Sequence, residues 1–175
     1  MDKYGRPDWD SYFMALAFVA SQRSIDPSTK HGCVLTTKDH RILSIGYNGP
    51  PRGSDENLVP LTRPDKYHFM AHAEPNAIDN CVADLKDSIA YVTGVPCSAC
   101  LLRLIQRGVK TIIYGKVGSN CCDAEDARKS QQILDAMKPD FKPTLIKYES
   151  NEFGDLLAGT LDYIIEKCCT PNKSV

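Results

Sequence analysis

No run of the 175 residues approaches the ~18 to 20 consecutive apolar positions that cross a bilayer, which excludes a membrane-spanning helix. The start, Met1 to Asp8, also lacks the apolar core of a signal peptide, so the expectation is a cytoplasmic protein. Charge of one sign is missing too: 21 Lys and Arg against 22 Asp and Glu leave −1 at pH 7. Such a balance supplies no bulk field for holding nucleic acid, and no polynucleotide partner is expected. Histidine is scarce, at four, whereas cysteine reaches eight. In a reducing cytosol those thiols are read as core residues, metal ligands or nucleophiles before disulfides.

The length fits one domain over 1–175, large enough to bury about 70% of its unfolded surface without disulfide staples. Trp9, Phe13, Leu16, Ala17 and Ala20 recur at helical steps and predict a helix over 9–23, ended by Asp26-Pro27-Ser28. Cys33 to Thr37 and Ile42 to Tyr47 read as a strand hairpin, followed by a long polar loop to about Tyr67. From Glu74 the chain alternates. A helix with Ala77, Ile78, Cys81, Val82 and Leu85 on one face precedes a strand at 89–93, a helix at 100–106 and a strand at 112–114. A helix over 124–137, with Ala127, Ile133, Leu134 and Met137 apolar, precedes a strand over 143–148. A helical extension at about 149–175 is expected to dock through Leu156, Leu157, Leu161, Ile164 and Ile165. This order implies an α/β layer with right-handed crossovers.

Two short strings carry the chemistry: His72-Ala73-Glu74 and Pro96-Cys97-Ser98-Ala99-Cys100, with a predicted strand between them. One imidazole and two thiolates suit Zn²⁺, which takes N and S ligands tetrahedrally. Cys97 and Cys100 are three apart, so both can face one ion from the first turn of a helix opened by Pro96, where N–H groups favour thiolate. His72 and Glu74 are two apart. His72 is therefore expected at the non-helical entry of its helix, with Glu74 reaching the site from the first turn. Three protein ligands leave a fourth position for water, whose pKa zinc lowers towards ~7, and Glu74 fits beside it as proton carrier. The competing expectation is a structural, non-catalytic zinc module closed by a fourth ligand such as Cys33, Cys81, Cys121 or His68.

His-x-Glu followed by Pro-Cys-x-x-Cys resembles the zinc-dependent nucleobase deaminases. With Asp26-Pro27-Ser28-Thr29-Lys30-His31-Gly32-Cys33 and Gly46-Tyr47-Asn48-Gly49-Pro50-Pro51-Arg52-Gly53, the chain is similar to the deoxycytidylate (dCMP) deaminase family of the cytidine deaminase superfamily. The resemblance implies a three-layer α/β/α fold with a five-stranded mixed sheet between helices. It implies zinc held by His72, Cys97 and Cys100, and conversion of dCMP to dUMP and ammonia with Glu74 as catalytic residue. It further implies that the backbone around Ala73 and Val95 reads the pyrimidine edge, that Asn48 contacts the sugar, and that Ser28 and Lys30 serve the phosphate.

A homohexamer and regulation by nucleotide effectors with Mg²⁺ follow from the same resemblance. The alternative within the chemistry is dCTP, a modified cytosine nucleotide or a nucleoside as substrate. Tyr67 and His68, just before the zinc histidine, are further candidates to line the pocket. Ser54 follows Gly53 where some members carry a cysteine for a second, structural zinc, so one catalytic ion is expected.

Overall fold

The computed structural model describes residues 3–4, 6–118 and 122–149. Helix α1, Trp9–Ser21, opens at Asp8, whose carboxylate accepts the Ser11 N–H at 2.8 Å and fills one of the orphan donors of the first turn. It ends two residues earlier than expected, where Gln22 caps it and Ser24 and Asp26 turn inward. Strands β1, Gly32–Thr36, and β2, Ile42–Tyr47, form the hairpin. Two short 3₁₀ turns, Glu56–Leu58 and Asp65–His68, give the following loop its own structure. The remaining elements are α2, Ala73–Asn80; β3, Ile89–Gly94; α3, Ser98–Gln106; β4, Thr111–Val117; α4, Ala124–Asp135; and β5, Thr144–Lys147.

The five strands make one mixed sheet in the order β2-β1-β3-β4-β5. β1 pairs antiparallel with both β2 and β3, with Cys33 opposite Gly46 and Val92; β3, β4 and β5 run parallel, with Ile89 opposite Thr111 and Thr111 opposite Thr144. The central strands β1 and β3 are buried on both faces, and their sequences are near-continuous in apolar residues as such strands require. Alternation then sorts the side chains into two layers. Val34, Tyr91 and Ile113 pack with Phe13, Met14 and Ala17 of α1 on one face; Cys33, Leu35, Val92 and Ile112 pack with α2, α3 and Leu134 of α4 on the other. This is the three-layer arrangement, and it brings the starts of α2 and α3 side by side.

The expected helical face ending at Leu85 is corrected: α2 stops at Asn80, and Cys81 is already extended. Cys81 and Leu85 are buried in the α2–α3 layer, but they reach it from irregular chain, and Val82 is fully exposed. On α4 only Leu134 of the four expected apolar positions is buried; Ala127 is exposed. The helix expected at 153–168 lies outside the described residues.

Candidate metal centre and substrate pocket

His72 and Cys97 occupy the same structural position in two different helices. Each is the N-cap, with ψ of 163°, and neither side chain is engaged in capping. Both are thereby left to point at a common centre between two helix N-termini, where the backbone dipoles favour anionic ligands. Cys100 joins from the first turn of α3. His72 Nδ1 lies 3.5 Å from Cys97 Sγ and 3.3 Å from Cys100 Sγ. Tetrahedral zinc with Zn–N of ~2.0 Å and Zn–S of ~2.3 Å sets an N···S edge of about 3.5 Å. The donor set and its spacing therefore fit a zinc ion without rearrangement.

Among the described residues these three form the only group of His, Cys, Asp or Glu whose ligand atoms cluster as a metal site, all within 4.8 Å of one another. Cys33, Cys81 and His68 do not join it, and Cys121 lies outside the described residues. Cys33 is sealed in the core, where burial and the Glu74 charge push its thiol far up and keep it inert.

Glu74 is 5% exposed and lines the same pocket. Burial pushes its carboxyl above the usual carboxylate range, against the lowering effect of a backbone N–H and of His72. The Cys97 thiol raises His72, outweighing burial. Cys100 is pushed up by Cys97 first, then by burial and by Glu74. These directions belong to the protein groups alone; a divalent cation among the three donors ionises the thiols outright.

The lining of the pocket also includes Ala73, Val95 and Asn48. The Val95 carbonyl accepts the Cys122 thiol at 3.2 Å. Asn48 is 6% exposed, and its amide is a tie: Oδ1 accepts the His31 N–H at 2.7 Å and Nδ2 donates to the Thr29 carbonyl at 3.0 Å. One Nδ2–H remains. Ser28 and Lys30 are exposed and stand outside the lining, flanking Thr29, which belongs to it. Asn76 donates to the Tyr47 carbonyl at 2.7 Å and so binds α2 to the end of β2.

Several further residues line the pocket, and of these only Tyr67 is singled out as a lining candidate from the sequence. His31 Nδ1 sits 3.3 Å from Thr93 Oγ1 and its Nε2 is buried without a partner, while burial and His72 hold its pKa below the ordinary value. Asp26, Arg63, Lys66 and Met70 also line the pocket, and Tyr67 does so where its neighbour His68 does not. Asp26 and His31 lie within the recognised block 26–33, where no role is read for either side chain. Arg63, Lys66 and Met70 come from the loop and the segment leading to His72, where no motif marks them.

Comparison with known proteins agrees with this geometry. The family model described as the cytidine and deoxycytidylate deaminase zinc-binding region matches residues 7–116. Deoxycytidylate deaminase of Mus musculus is 35% identical over 148 residues, covering 81% of this chain and 82% of the mouse protein. The Homo sapiens deoxycytidylate deaminase is 33% identical over 147 residues, covering 80% and 82%. Among solved structures, dCMP deaminase from the cyanophage S-TIM5, in complex with dCMP and dUMP, superposes with a TM-score of 0.66 at 25% identity, covering 82% of this chain and 98% of that one.

Proposed function

The chain belongs to the cytidine and deoxycytidylate deaminase family, and from that premise we propose that it is a zinc-dependent hydrolase that converts dCMP and water to dUMP and ammonia. The observation that carries the reading is the three-donor cluster with the buried Glu74 in the same pocket and no fourth protein ligand among the described residues. His72, Cys97 and Cys100 would hold the zinc, which would supply Lewis acidity that makes water a nucleophile near neutral pH. Glu74 accepts one proton of the attacking water and delivers it to the ring nitrogen next to the reacting carbon; it then takes the proton of the newly added hydroxyl and passes it to the amine, which leaves as ammonia as the carbonyl forms. Its burial, which raises the carboxyl above the ordinary carboxylate range, suits a group that must hold a proton as well as release one.

In this reading the backbone at Ala73 and Val95 faces the pyrimidine edge, and the remaining Nδ2–H of Asn48 faces the sugar. Ser28 and Lys30, on either side of Thr29, supply phosphate donors at the rim together with Arg63. The reading extends to a cytoplasmic homohexamer tuned by a nucleotide effector with Mg²⁺, which family membership supports. Light scattering at the 19.4 kDa of one chain counts against the assembly. No helix among the described residues is long and apolar enough to cross a membrane.

The test is turnover of dCMP, dCTP and deoxycytidine by the wild type and by Glu74→Gln, with zinc content measured on both. We expect one zinc per chain in each, preference for dCMP, and a loss of about 10² to 10⁴ in kcat for the variant. Zinc bound without any deamination by the wild type would favour a structural module, and full turnover by Glu74→Gln would remove Glu74 from the mechanism.

A further inference from the structure

Lys66 is 3% exposed and Asp26 5%, and Lys66 Nζ lies 2.8 Å from both Asp26 carboxylate oxygens. Burying an ion pair is costly, and an apolar pair of the same volume is often at least as stable, so stability alone does not account for it. Both residues line the pocket that holds Glu74 and the metal donors. The pairing also leaves a defined surplus. An ammonium carries three N–H groups, and among the described residues the only acceptors Lys66 Nζ meets are the two oxygens of Asp26. Asp26 Oδ1 is crowded, accepting also from the N–H of Ser28 at 2.8 Å and of Thr29 at 3.3 Å, whereas among the described residues Oδ2 accepts from Lys66 alone. One donor and one acceptor, side by side and of opposite charge, remain for whatever enters.

A phosphate monoester presents acceptors only and would be repelled by the carboxylate. A hydroxyl both donates and accepts, so it matches the pair at both ends. In a 5′-phosphorylated deoxynucleotide the one free sugar hydroxyl is the 3′-OH. We propose that the Asp26–Lys66 pair is the recognition site for the substrate 3′-hydroxyl, which donates to Asp26 Oδ2 and accepts from Lys66 Nζ. This rests on the reading of the pocket as a deoxycytidine nucleotide site. The neighbouring tie of Asn48 to His31 and Thr29 holds the segment that follows Asp26, so the pair meets a preset wall.

The experiment compares kcat/KM for dCMP with that for its 2′,3′-dideoxy analogue. Wild type should lose about ten- to a hundredfold on the analogue, the scale of hydrogen bonds to charged groups left without their partner. The paired variant Asp26→Asn/Lys66→Met avoids an uncompensated buried charge, and in it the ratio between the two substrates should collapse to within about threefold. A purely structural pair predicts the opposite pattern, with both substrates falling together and the ratio kept. That result overturns the proposal, as does wild type that treats the two substrates alike while turning dCMP over, a comparison that holds even where the variant fails to fold. Wild type that deaminates no cytosine nucleotide overturns the functional reading and the hydroxyl site with it.

Discussion

Asp126 of α4 accepts both the backbone N–H of Ser98, at 3.0 and 3.2 Å, and the Ser98 hydroxyl, at 2.6 Å, bonding the residue that follows the metal donor Cys97. Because the N-cap side chain of α3 is Cys97 and is not engaged in capping, a carboxylate from another helix does the capping instead. The arrangement fixes the first turn of α3 while leaving both thiols for the metal. It also places the strand-to-helix turn under the control of α4, which contributes only Leu134 to the core.

Asp126→Ala should therefore weaken zinc retention by about tenfold or more, as loss of an outer partner of a ligand does. Loss of the cap should lower stability by about 1 kcal/mol. Competition with a chromogenic chelator against wild type reads the first, and denaturant unfolding the second. Unchanged zinc affinity would mean that the α3 turn holds its shape without α4.

Gly46 sets how closely α2 lies on β2. A Cβ at this position would stand 2.3 Å from the Ala77 nitrogen and 2.5 Å from the Ala73 carbonyl oxygen, both backbone atoms of the helix that begins at His72. Backbone cannot yield as a flexible side chain does, so Gly46→Ala must displace α2. We expect a loss of about 1 to 3 kcal/mol in stability, with reduced zinc content. Gly49→Ala, whose Cβ would meet only the Tyr47 ring at 3.5 Å, is the control and should melt near wild type.

Asn48→Ala removes an acceptor from the His31 N–H and a donor from the Thr29 carbonyl. Leaving such groups unmatched costs about 1 to 3 kcal/mol. Asn48→Asp should not rescue it, because a carboxylate keeps the His31 bond but sets an oxygen against the Thr29 carbonyl. Melting temperatures of the two variants decide this; an aspartate variant as stable as wild type would show that the Thr29 bond contributes nothing.

The candidate metal donors were legible because they fall in two short strings that each start a helix: Pro96 announces the turn at Cys97, Cys100 follows in the first turn, and the two-residue spacing of His72 and Glu74 excludes a shared helical face. The layers were legible because β1 and β3 are apolar on both faces. The end of α2 was not, since Cys81 and Leu85 continue the apolar spacing after the chain has left the helix, and both find the core from irregular backbone. The Asp26–Lys66 contact joins residues 40 apart through a loop without periodicity. At the Asp26-Pro27-Ser28-Thr29 turn, the aspartate folds back onto the N–H groups of Ser28 and Thr29, which turns Asp26 inward and leaves Ser28 and Lys30 outside. That inversion depends on the turn and on Lys66, neither of which a motif displays.

The same pair gives the protein a defined acid limit. Burial pushes the Asp26 carboxyl up, but the Lys66 ammonium and the N–H groups of Ser28 and Thr29 outweigh it and hold the pKa below the ordinary carboxylate value. A group depressed in the folded state binds its proton more readily once unfolded, at about 3.9. Its stabilisation is therefore complete above that pH and is lost as pH falls through the unfolded value towards the folded one. Denaturant unfolding at pH 6 and at pH 3.5 should show a larger acid loss for wild type than for Asp26→Asn/Lys66→Met. Metal release in acid acts on both proteins and cancels in that comparison. Lys66→Met alone should be the least stable at pH 6, by about 3 to 5 kcal/mol, and should recover part of that deficit relative to wild type as Asp26 becomes protonated. Parallel pH curves for all three proteins would show that Asp26 titrates alike in the folded and unfolded chain.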